Sequence, residues 1–251
     1  MAVKNNKSLG QHWLKNRLIL DDIADAATFE GVSTCLEIGP GLGTLTSSLL
    51  RRFEKVVSVE FDANLAKNLP NSFPGKNLEV INADFLKFDL ENFAGPYCVA
   101  GNIPYYITSP IIEKLLTAKN RPKRIALLIQ KEVAERIAAI DGHQSVLSLF
   151  VQNQADVELG YVVSKDEFTP PPKVDSETIF LTPKEPVIKD EVFGLIKRGF
   201  SSPRKKLIAN LAGKKSREEL KNIFMELGID ENARPADLSL KDWERLFGFM
   251  V

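Results

Sequence analysis

The chain has 251 residues, with 33 basic and 33 acidic side chains and no formal net charge. That is the composition of a soluble globular protein, long enough for one large domain or one domain plus an accessory piece, and its balance means that any nucleic-acid contact must be local. It also sets aside several classes. Residues 1–7 lack an apolar signal core and no apolar run is long enough for a membrane, so neither a secretory leader nor a span is expected. His12 and His143 have no thiol or acid at ligand spacing, so no metal site is expected. Cys35 and Cys98 lie in apolar, strand-like runs and are expected to be buried, reduced thiols of a cytoplasmic protein.

In chain order, an amphipathic helix is predicted from Leu18 to Ala27, after a segment holding Ser8-Leu9-Gly10-Gln11-His12-Trp13-Leu14. Thr34–Ile38 reads as a buried strand that runs into Gly39, Gly41 and Gly43 and then a helix carrying Leu45, Leu49 and Leu50. Strands follow at Lys55–Glu60, Leu78–Asn82 and Tyr97–Gly101, with a helix from Ala63 that Asp62 can cap. A helix over Ser109–Thr117, a strand over Arg124–Ile129 and helices over Lys131–Ile140 and Gln144–Gln152 come next. Strands over Asp156–Val163 and Thr178–Leu181 flank Phe168–Ser176, whose three consecutive prolines bar regular structure. Alternating strands and helices predict an α/β fold with a mostly parallel sheet and a terminal antiparallel hairpin. Beyond Pro183 only helices are predicted: Asp190–Arg198, Pro203–Leu211, Ser216–Leu227 and Ser239–Phe247. The expected division is therefore residues 1–183 and 184–251.

Open parallel sheets bind ligands at the carboxyl ends of their strands, and four features fall there. The glycine turn after the first strand has G-x-G-x-G spacing, which differs from the dinucleotide fingerprint and disfavours a nicotinamide-dependent oxidoreductase. Glu60, about 20 residues on, can accept from both hydroxyls of a ribose. Asp84 can accept from an adenine amine, so the two acids together describe an adenosine site. Asn102-Ile103-Pro104-Tyr105 is the sharpest signal. A nucleobase amine is a poor nucleophile because its lone pair is delocalised. An Asn carbonyl and a nearby backbone carbonyl can accept both of its hydrogens, and Tyr105 offers a face for the base.

These motifs resemble a class I S-adenosylmethionine-dependent methyltransferase acting on an amino group, a Rossmann-like fold. Ser8–Leu14 and Phe168-Thr169-Pro170-Pro171-Pro172-Lys173-Val174-Asp175-Ser176 narrow the resemblance to the ribosomal-RNA adenine N6,N6-dimethyltransferase family, specifically its small-subunit (KsgA) branch, over essentially the full chain. The resemblance implies S-adenosylmethionine as cofactor and small-subunit ribosomal RNA as substrate. It implies that His12 and Leu14 contact the methionine end of the cofactor over Gly39 and Gly41, that Glu60 binds the ribose and Asp84 the adenine. It also implies that Asn102 lies between cofactor and substrate, that the Ile103 or Pro104 carbonyl helps Asn102 hold the target amine, and that Phe168 packs against the target adenine opposite Tyr105. The chain departs from the family where His12-Trp13 replaces the commoner Asn-Phe and where Tyr106 follows the tetrad in place of Asn.

Between Lys184 and Lys221 there are eleven basic and five acidic residues. Arg204-Lys205-Lys206 is the densest group, and such a cluster suits a phosphate backbone without reading sequence. The second domain is therefore expected to contact RNA, and nothing in the chain demands more than a monomer. Two other readings stay open at this stage: a large-subunit ribosomal-RNA methyltransferase of the macrolide-resistance type, and a non-catalytic ribosome-assembly factor.

Overall fold

The computed structural model describes residues 12–93, 95–213 and 215–250; Ser8–Gln11 of the N-terminal motif and Lys214 of the basic segment lie outside the described residues. The strands are β1 (Trp13–Leu14), β2 (Thr34–Ile38), β3 (Lys55–Glu60), β4 (Leu78–Asn82), β5 (Cys98–Asn102), β6 (Ile125–Gln130), β7 (Ala155–Val163), β8 (Phe168–Thr169) and β9 (Ser176–Pro183). The α-helices are α1 (Arg17–Ala26), α2 (Thr44–Leu49), α3 (Ala63–Asn68), α4 (Thr108–Thr117), α5 (Lys131–Ala138), α6 (Val146–Gln154), α7 (Asp190–Gly199), α8 (Leu207–Leu211), α9 (Arg217–Leu227) and α10 (Leu240–Met250).

Seven strands form one sheet in the order β4-β3-β2-β5-β6-β9-β7. The pairs from β4 to β6 are parallel, and β9 runs antiparallel to β6. The central strands are buried along nearly their whole length, as parallel strands covered on both faces must be. Cys35 and Cys98 are register partners across β2 and β5, and both are buried free thiols. The last strand inserts between β6 and β7, a placement that hydrophobic pattern does not specify. Asp62 caps α3, its Oδ1 accepting from the N–H groups of Asn64 and Leu65 at 2.8 and 3.2 Å. A separate two-stranded sheet pairs β1 with β8, Leu14 opposite Phe168 and Trp13 opposite Thr169.

The chain divides into two compact units, one of Met1–Ala134 with Asp156–Pro183 and one of Glu135–Ala155 with Lys184–Val251. This corrects the expected division at residue 184, because residues 135–155 go with the helical unit. The cause is apolar: Leu149 of α6 is buried in one cluster with Ile188, Leu195, Leu207, Phe224 and Trp243. In that unit α7 and α10 meet closely, since a Cβ on Gly199 would fall 2.3 Å from the Trp243 ring. Helix α8 starts only at Leu207, four residues later than expected, and Ser201–Lys205 forms turns instead. Among the described residues no helix is long and apolar enough to cross a membrane.

Candidate active site

The turn after β2 is held by backbone geometry that glycine permits. Gly39, Gly41 and Gly43 have φ of +65°, +56° and +81°. Gly39 N–H donates to the Val59 carbonyl at 3.0 Å and Gly43 N–H to the Pro40 carbonyl at 2.9 Å. A Cβ on Gly41 would stand 3.1 Å from Trp13 Nε1, and one on Gly43 would stand 2.7 Å from Leu69 Cδ1. A Cβ on Gly39 would meet nothing within 4 Å; that residue borders a cavity of about 300 Å³ at the carboxyl ends of β2 to β5.

Glu60 ends β3 on the wall of this cavity. Its Oε2 accepts from Gly41 N–H at 3.0 Å and its Oε1 from Asp62 N–H at 2.8 Å, so the acid is tied to the glycine turn. Burial raises its carboxyl above the usual range, while the Asp62 and Gly41 N–H groups oppose the shift. Each oxygen still has a lone pair to offer. Asp84 lies beyond β4 on the same wall, its Oδ1 accepting from Leu86 N–H at 2.9 Å. Lys114 of α4 donates to the Leu86 carbonyl at 3.0 Å and sits 6.0 Å over the Phe85 ring, bracing this loop.

On the opposite wall, Asn102 Nδ2 donates to the His12 carbonyl at 2.9 Å. A carbonyl only accepts, so the amide orientation is determined and Oδ1 is the side-chain acceptor that remains. His12 Nδ1 donates to the Pro170 carbonyl at 2.7 Å, and the imidazole stacks on Tyr105 with centroids 6.1 Å apart and planes 19° off parallel. The Tyr105 hydroxyl is 2.7 Å from Ser176 Oγ, and burial raises its pKa, with the Ser176 contact opposing. The Pro104 carbonyl accepts Ile107 N–H at 3.2 Å, closing the turn that carries both tyrosines.

Behind the glycine turn, Glu37 has no solvent exposure. Thr46 and Ser58 each donate to its Oε2 at 2.7 Å, and among the described residues its Oε1 has no hydrogen-bond partner. Burial pushes this carboxyl up to about 7, the two hydroxyls pull it down, and the charge of Glu60 adds to the rise.

The model of the ribosomal RNA adenine dimethylase family matches residues 2–250. The chain belongs to the ribosomal RNA adenine dimethylase family. It is 41% identical over 252 residues to a ribosomal RNA small subunit methyltransferase A of Acaryochloris marina, covering 94% of each chain. Among solved structures it resembles a dimethyladenosine transferase from Plasmodium falciparum with a TM-score of 0.80 and 30% identity, covering 95% of this chain and 97% of that one. The 23S rRNA methyltransferase ErmE follows with a TM-score of 0.79 and 30% identity, covering 95% and 99%.

For this dimethylase-family chain, the cavity gathers eight of the residues singled out from the sequence: His12, Gly39, Gly41, Glu60, Asp84, Asn102, Pro104 and Tyr105. Leu14 and Phe168 are not brought there. They are opposite partners on β1 and β8, 0% and 3% exposed, with both side chains in the apolar core. Cross-strand partners share a face and neighbours along a strand alternate, so Trp13 reaches the cavity where Leu14 does not.

Glu37 belongs to the glycine-turn motif without a role being legible in the sequence, and Phe61 and Phe85 are not singled out there. Both phenylalanines directly follow a strand-end acid and line the cavity, and that acid–aromatic order was a usable signal. The donor and acceptor set fits S-adenosylmethionine: a glycine turn with open space at Gly39, two carboxylates at neighbouring strand ends and aromatic faces beside them. Among the described residues, no group of three or more His, Cys, Asp or Glu is placed to hold a metal ion.

In the helical unit, Arg204, Lys205 and Lys206 are all exposed on the turn before α8. Asn210 Nδ2 donates to the carbonyls of Gly199 and Ser202, the latter at 3.0 Å, which pins that turn to α8.

Proposed function

We propose that this protein dimethylates the N6 amine of adenines in small-subunit ribosomal RNA, with S-adenosylmethionine as methyl donor. The observation that carries the reading is the Asn102 amide, held by the His12 carbonyl so that its Oδ1 is left as an acceptor at the cavity wall. The small-subunit assignment is supported by 41% identity over 252 residues to a small-subunit relative.

When bound, S-adenosylmethionine supplies an activated methyl group. Gly39 would let it approach the backbone while Gly41, filled on its open side by Trp13, would hold Glu60 in place; Glu60 would accept from its ribose, Asp84 from its adenine amine, and His12 would serve its methionine end. Leu14 serves this wall from behind as part of the core under β1. On the substrate side, Asn102 Oδ1 accepts one hydrogen of the target amine. The Pro104 carbonyl is already engaged by Ile107, so the Ile103 carbonyl is the better second acceptor. Held by both hydrogens, the amine keeps its lone pair out of conjugation with the ring, and Tyr105 fixes the base by stacking. Catalysis is then mainly positioning. The target adenine has to leave its stack to enter, and Phe168 reaches it only if β8 shifts from its buried place.

After one transfer the methylated amine loses a proton to water and keeps one hydrogen for Asn102 to hold, which permits a second. The exposed Arg204, Lys205 and Lys206 meet the RNA backbone. The protein acts as a monomer, in the cytoplasm, on assembling subunits.

The test offers tritiated S-adenosylmethionine with immature small subunits lacking adenine dimethylation and, in parallel, large-subunit RNA. Dimethyladenosine in the small subunit alone is expected. Label in large-subunit RNA alone overturns the small-subunit assignment, and cofactor binding with no transfer overturns the enzymatic one.

A further inference from the structure

Among the described residues, the side chain that follows the tetrad makes no hydrogen bond and no ring contact. Tyr106 sits in the Tyr105–Ile107 turn, lines the cavity and is 66% exposed. The turn that carries it is rigid: Pro104 restricts one end, the Pro104 carbonyl accepts Ile107 N–H at 3.2 Å, and Thr108 Oγ1 donates to the Tyr105 carbonyl at 3.1 Å. Tyr105 itself is committed inward by Ser176 and by the His12 ring. One tyrosine therefore faces the pocket and the next stands at its mouth, on backbone that needs no ordering to present it.

Single exposed apolar side chains are common and need no explanation. This one lies where the substrate must enter, and a second exposed aromatic, Phe61 at 62%, borders the same cavity on the far wall beside Glu60. The two aromatics flank the opening, one on the side of the adenosine-binding acids and one on the side of Asn102.

We propose that Tyr106 is a substrate-binding residue whose ring stacks on the nucleobase flanking the target adenine. This rests on the RNA-methylating function proposed above. Tyr106 lines the cavity that holds Tyr105 and is 66% exposed, so its ring is open to the strand that must pass the cavity once the target base has left its stack. A stacked ring accepts any base, so the contact adds affinity and holds the strand in place without selecting the flanking sequence. It also gives the flipped adenine's neighbour a substitute for the stacking partner it loses.

The test measures methylation kinetics on immature small subunits for the wild type, Tyr106→Ala and Tyr106→Phe, with cofactor affinity read separately by calorimetry. Tyr106→Ala should raise KM for the subunit roughly 5- to 150-fold, the range expected for one lost base–aromatic stack, with kcat and cofactor Kd unchanged. Tyr106→Phe should restore the wild-type KM, because the ring and not the hydroxyl makes the contact. An unchanged KM in Tyr106→Ala, a loss confined to kcat, or a Phe variant as impaired as the Ala variant each overturns the proposal. A wild-type protein that transfers no methyl to any RNA instead overturns the function on which it rests. The side chain is mostly in solvent, so neither substitution disturbs the core, and equal melting temperatures verify this.

Discussion

Glu37 offers a test of how the glycine turn is supported. It lies fully buried one residue before Ile38-Gly39, with Thr46 of α2 and Ser58 of β3 both donating to one oxygen and, among the described residues, no hydrogen-bond donor on the other. Burial raises its carboxyl from 4.5 to about 7. Because the folded state holds the proton more tightly than the unfolded chain, the contribution of Glu37 to stability is full below pH 4.5 and declines as pH rises to about 7. At about 1.4 kcal/mol per unit, the decline between pH 5 and pH 8 amounts to roughly 2–3 kcal/mol. Glu37→Gln keeps one oxygen for Thr46 and Ser58 and cannot ionise. Hydrogen–deuterium exchange of the β2 and β3 amides, corrected for intrinsic rates, reads this unit apart from the helical one. The wild type should lose protection relative to the variant by that amount as pH is raised from 5 to 8. A wild-type-to-variant difference that does not change with pH would refute the account of a neutral, half-satisfied acid behind the turn.

Three further outcomes follow from the cavity and the basic turn. Asn102→Ala should reduce kcat far more than it weakens cofactor binding; single-turnover transfer near the wild-type rate would remove Asn102 from its role. Glu60→Ala should weaken cofactor binding by roughly 10- to 100-fold, from a lost charged hydrogen bond of about 1.5–3 kcal/mol, and unchanged affinity by calorimetry would contradict the ribose assignment. Reversing Arg204, Lys205 and Lys206 to Glu should flatten the dependence of RNA affinity on salt, and an unchanged slope would take this turn out of the RNA footprint.

The alternation of strands and helices, the glycine turn, Glu60, Asp84 and the Asn102–Tyr105 tetrad are all legible in the sequence, because each depends on local spacing. Buried parallel strands are continuous apolar runs, and an acid or a glycine that ends such a run stands out against it. Asp62 as the cap of α3 belongs to the same class: its oxygen bonds to N–H groups two and three residues away.

Contacts between distant segments decide the remainder. Leu14 and Phe168 sit in short motifs 154 residues apart, and only their pairing across β1 and β8 shows that both point into the core and that Trp13 takes the cavity wall. Residues 135–155 carry helical periodicity that suits either unit, and the burial of Leu149 beside Trp243 settles which one holds them. The orientation of the Asn102 amide comes from the backbone of His12, 90 residues earlier in the chain. By itself the sequence determined which chemical groups are present and which strand ends present them, since propensity and periodicity act over a few residues. Which of those groups face one another was decided by the tertiary structure, because strand register and core packing choose a face for each side chain only when distant segments meet.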